Sequence, residues 1–143
     1  MAATTVHVSI QIYRGDPLDY PRFRHTSLFL KFANQDPSTL VHVVGPIGEF
    51  EFTTQEGYDP SQDQSLARSV DVGDLSVQTS YVQIIQILRA VSVMNHDLEF
   101  NCQTWVEAAI RKLRYTSMLA NDSYMHGLDG MVNAIAEAED EED

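Results

Sequence analysis

The hydrophobic period of this chain changes once, near Gly73-Asp74, and that change limits the folds open to it. Before it, apolar residues recur at alternate positions or in short runs bounded by breakers; after it, they recur at helical spacing. Val6, Val8, Ile10 and Ile12 alternate with His7, Ser9, Gln11 and Tyr13, the pattern of a strand with one buried face. Arg14-Gly15-Asp16-Pro17-Leu18-Asp19-Tyr20-Pro21 is dense in breakers and reads as a loop. Residues 23–32 predict a second strand, apolar on both faces at Leu28, Phe29 and Leu30 and therefore central in its sheet. Turn residues at 33–37 lead into a third strand over 39–44, so the two form a hairpin. A fourth strand is predicted over 49–53, and a fifth over 66–72.

Past Gly73-Asp74, Tyr81, Ile84, Ile85, Leu88 and Val91 lie on one stripe of a helix expected over about 76–94, capped by Ser76 or Ser80. Asn95-His96-Asp97 interrupts it. A second helix opens after Phe100, with Asn101 as N-cap and Cys102, Trp105, Val106, Ala109, Ile110 and Leu113 on one face. A third is expected over about 122–137, with Leu128, Met131, Val132 and Ile135 on its stripe, although Gly127 and Gly130 weaken it. Asn121 in Asn121-Asp122-Ser123 reads as a helix cap rather than a glycosylation acceptor. Strands followed by helices give an α+β fold: an antiparallel sheet of about five strands packed against C-terminal helices. One domain is expected over residues 1–136, with 137–143 as an acidic C-terminal tail.

Nine Lys and Arg against 21 Asp and Glu give a formal charge of −12, which repels nucleic acid and anionic lipid surfaces alike. Residues 1–5 carry no basic cluster and no run of eighteen apolar residues occurs, so neither export nor a membrane span is expected. A single cysteine agrees with a reducing, cytoplasmic compartment. No Gly-rich phosphate loop or paired CxxC calls for a cofactor, and nothing in the pattern fixes the oligomeric state.

That cysteine is the best candidate for chemistry. At the first turn of a helix, a thiol feels unpaired N–H groups and the positive end of the helix dipole, which favour the thiolate and can receive an oxyanion. Asp97 and Glu99 just upstream oppose it. A nucleophile also needs a base, and the base needs an orienting group. His25 and His42 stand on neighbouring predicted strands. With a four-residue hairpin loop of Ala33 to Asp36, His42 falls opposite Ser27 and on the face of His25, about 7–8 Å away on the cross-strand diagonal. A slip of one residue would send His42 to the other face. His7, His96 and His126 read as solvated or capping, and Trp105 and Met118, Met125 and Met131 as core.

VHVSIQIY, RHTSLFL, LVHVVG, a helix, and then FNCQTWV at a helix start resemble, in that order, the circularly permuted papain-like (NlpC-type) cysteine hydrolases, over roughly residues 5–112. The resemblance implies kinship with the PPPDE isopeptidases and the lecithin:retinol acyltransferase-like enzymes, in which the catalytic His precedes the Cys. Cys102 after Asn101 matches the nucleophile, and His25 before Thr26 matches the histidine of the PPPDE His-Thr pair. His42 matches the second histidine of the acyltransferase-like group. The chain departs from the PPPDE pattern at Gln103-Thr104, where that group carries a further Asn or His.

The expected function is therefore a cysteine-dependent acyl-transfer enzyme, a thiol hydrolase or acyltransferase. Cys102 attacks an amide, thioester or ester of a small-molecule, peptide or protein substrate, His25 carries the proton, and His42 orients His25. Two alternatives stand beside it: a catalytically inactive papain-like interaction module, and a zinc site of Cys102, His25 and His42.

Overall fold

The computed structural model describes residues 2–16 and 18–138. It is α+β. Five strands, β1 (Val6–Tyr13), β2 (Thr26–Phe32), β3 (Thr39–Val44), β4 (Glu51–Glu56) and β5 (Leu66–Asp74), form one sheet in the order β4-β3-β2-β1-β5. Each neighbouring pair is antiparallel. Three helices follow: α1 (Tyr81–Arg89), α2 (Cys102–Tyr115) and α3 (Asn121–Ala136). Among the described residues no helix is long and apolar enough to cross a membrane.

The alternation read in β1 decides which face the helices cover. Val6, Val8, Ile10 and Ile12 are fully buried and join Leu28, Leu30, Val41 and Val43 under the three helices, where Ile84, Leu88, Trp105, Val106, Ile110 and Met131 complete the core, with α2 over β2 and β3 and α3 over β1 and β5. The opposite face is polar but not open. β4 and β5 are the two edges of the sheet, so their connection must cross from one to the other. It does so over the face away from the helices: the Tyr58 ring packs on Phe29, and the Tyr58 hydroxyl accepts a hydrogen bond from Tyr13 (3.0 Å).

Several elements differ from expectation for local reasons. β2 begins at Thr26 rather than residue 23, because Pro21–Phe23 closes into a 3-10 turn and leaves His25 just ahead of the strand. α1 is shorter than its stripe: Ser80 and Gln83 form a capping box at its start, and Val91, buried at 6% exposure, continues the apolar period from outside the helix. Asn121 does not cap α3. It is the first helical residue and accepts a hydrogen bond from Arg114 (2.9 Å). Met125 and Val132 are exposed rather than core, since the face of α3 against the sheet is Gly127, Met131 and Ala134. Of the acidic C-terminal segment, Glu137 pairs with Arg68 (2.7 Å) and Ala138 is buried; residues 139–143 lie outside the described residues.

Candidate active site

Cys102 is the first residue of α2. Asn101 stays extended and its side-chain oxygen accepts from the N–H groups of Gln103 (2.9 Å) and Thr104 (3.1 Å), while the Thr104 hydroxyl accepts from the Asn101 N–H (3.3 Å). This box ends the preceding loop and fixes the direction in which the thiol leaves the helix. Cys102 Sγ points to the Arg24 carbonyl, 4.0 Å away. Burial pushes the thiol pKa up and outweighs the groups that favour the thiolate, which are the N–H and hydroxyl of Thr26 and the first-turn N–H groups of Gln103 and Cys102. The Thr26 hydroxyl beside the thiol is fully buried and makes no other hydrogen bond among the described residues.

His25 and His42 meet directly. β2 and β3 pair with Leu28 opposite Val41, a register that continues to Ser27 opposite His42, as the four-residue loop requires. Both rings lie on the sheet face away from α2, with His25 Nε2 2.8 Å from His42 Nδ1. One nitrogen donates and the other accepts. Burial, reinforced by the neighbouring His42, pulls His25 down to about 4, and burial lowers His42 as well. Both are neutral at pH 7. His25 Nδ1 has no hydrogen-bond partner among the described residues.

Tyr13, Tyr58 and Asp63 are site neighbours that sequence reasoning missed. The Tyr13 ring lies 5.6 Å from that of His25, and its hydroxyl meets Ser27 Oγ (3.1 Å) and donates to Tyr58, which donates to Asp63 (2.9 Å). Burial, with Tyr13 and Asp63 alongside, holds the Tyr58 phenol protonated. These residues and the two histidines line a cavity of about 390 Å³. Tyr58 and Asp63 reach it only because the β4–β5 connection crosses this face. Tyr13 was legible as the last polar-phase residue of β1, and the His25 carbonyl accepting its N–H (2.9 Å) fixes its position.

The structure thus joins His25 to His42 and brings Cys102 to the backbone on both sides of His25, without a hydrogen bond between the thiol and either ring. Among the described residues no group of three side chains converges as a metal site would require, so Cys102, His25 and His42 do not form one. A family model described as a family of unknown function, DUF6540, matches residues 12–120, which include all three, and the chain belongs to that family. No curated protein and no solved structure matches the chain.

Proposed function

We propose that this member of the DUF6540 family is a cysteine-dependent acyl-transfer enzyme of permuted papain-like type, acting on an amide, thioester or ester. One observation carries the reading. Cys102 Sγ, at a helix N-terminus, abuts the residues on either side of His25, while His25 gives Nε2 to His42 and keeps Nδ1 uncommitted. A base in a thiol site needs that division: one ring nitrogen for the nucleophile, the other for the group that orients it.

In this reading Sγ attacks the acyl carbon as its proton passes to His25 Nδ1, and the Cys102 N–H receives the oxyanion. Collapse of the tetrahedral intermediate expels the amine, thiol or alcohol, which takes that proton from His25. The thioester left on Cys102 is then attacked by water in a hydrolase, or by an amine or hydroxyl acceptor in a transferase. Because thiol and imidazole are both neutral at rest, the proton moves during attack rather than before it. The His25 ring, which rests on the sheet face away from α2, must swing to the Cys102 side to take it, releasing its bond to His42 as it does so.

The same neutrality favours a second reading, a papain-like interaction module without turnover, since nothing is pre-ionised. Alkylation separates the two. With iodoacetamide at pH 7 and intact-mass detection, Cys102 in the native protein is expected to label at least about tenfold faster than in His25→Ala, with His42→Ala intermediate. Equal rates in all three, no faster than the denatured thiol, would sink the enzyme and leave the module.

A further inference from the structure

We infer that Gln103 is the positioning residue of this site: its carboxamide sets the distance between Cys102 and His25. The inference rests on the catalytic reading above. Gln103 follows the nucleophile on α2, and its Nε2 donates to the carbonyls of both Pro21 (2.9 Å) and Arg24 (2.9 Å). Two carbonyl acceptors fix the orientation of the amide, because only the NH₂ end can face them. The Arg24 carbonyl is the one the Cys102 thiol points to, and the next residue is His25. A single side chain therefore spans from the first turn of the nucleophile's helix to the turn that carries the base.

The Pro21–Arg24 turn does not need Gln103 to stay attached to the fold. The Arg24 guanidinium already holds it, through Nε and Nη2 to the two Asp19 carboxylate oxygens (2.9 Å each) and through Nη1 to the Ala134 carbonyl of α3 (2.8 Å). Nor does Gln103 cap α2, which Asn101 and Thr104 do. What Gln103 adds is the position of this turn relative to α2. Displacing a reacting pair by about 1 Å costs on the order of a hundredfold in rate, so a bond of this kind acts on chemistry more than on stability.

Gln103→Glu keeps the shape but sets a carboxylate against two carbonyls, and Gln103→Met removes the donors without charge. Each is paired with His25→Ala in a double-mutant cycle of iodoacetamide alkylation, with the thermal midpoint measured alongside. The expected result is that the acceleration due to His25, about tenfold or more in the native protein, falls to within about twofold in both Gln103 backgrounds while the midpoint changes little. The rate–pH profile should lose its histidine inflection in parallel. A full His25 effect in Gln103→Glu and Gln103→Met overturns the inference and spares the enzyme. No His25 effect in the native protein overturns both. Failure of both variants to fold also overturns the inference, since it would make Gln103 a structural residue.

Discussion

Asn101 shows how much one side chain fixes at this site. Its oxygen serves two N–H groups of the first turn, and removing it strips the cap from the helix that carries Cys102. Asn101→Ala is expected to cost about 1 kcal/mol, read as a shift of a few degrees in the thermal midpoint; no shift would mean that the loop before α2, rather than the cap, sets its start. Such capping is local chemistry between a residue and its neighbours two and three positions on, which is why Asn101 and Cys102 were legible in the sequence. The His25–His42 contact was legible for a related reason, since it follows from the length of one hairpin loop. Gln103 was not, because the carbonyls it holds lie far upstream in the chain, and only the packing of α2 over β2 brings them within reach. Tyr58 and Asp63 were hidden in the same way, on a connection whose breakers announce a turn but not the face it crosses.

At the scale of elements, the strands were read more faithfully than the helices. Alternation reports directly which face of a strand is buried, whereas a helical stripe names apolar residues without saying how close the partner comes. α3 makes the difference concrete. Its glycines looked like weaknesses, yet they are where α3 presses on β5: a Cβ built at Gly130 would sit 2.4 Å from Val70 Cγ1, and one at Gly127 2.8 Å from Val72 Cγ2. Alanine at 130 gains about 1 kcal/mol in helix propensity but must displace a β-branched, χ1-stiff side chain, at about 1–3 kcal/mol. The clash wins. Gly130→Ala is expected to be destabilised by about 1 kcal/mol in urea unfolding, and Val70→Ala in the same chain should recover most of the loss. A Gly130→Ala protein as stable as the parent would show that α3 can lift from β5 at no cost. Close approach has a second consequence for the site, because α3 supplies the Ala134 carbonyl that holds Arg24, and so the turn before His25.

Across the whole molecule, two sets of histidines act on stability with opposite sign. His25 and His42 are buried neutral on one face of the sheet. With His25 at about 4 when folded against 6.5 when unfolded, the unfolded chain binds the extra proton between those values, so stability falls as pH drops through that window, by roughly 3 kcal/mol for His25. His7 does the reverse. Burial opposes its protonation, but its hydrogen bonds to Asp74 and Asp71, and their charges, outweigh burial and raise its pKa. The folded chain then keeps a proton that the unfolded chain has lost, so this contribution is complete below 6.5 and disappears as pH rises through the raised value. Because His7 ties β1 to β5 and its side chain is 39% exposed, its limb should be the shallower one. Asp19, held at about 2 by Arg24, loses its contribution only below its ordinary 3.8, outside both windows. Urea midpoints collected from pH 4.5 to 9 are therefore expected to peak near about 6.5 and fall on both sides. His25→Gln should flatten the acid limb and His7→Gln the alkaline one. An acid limb that survives in a His25→Gln, His42→Gln double variant would place the acid sensitivity in the carboxylates, and His25 and His42 would not be a buried neutral pair.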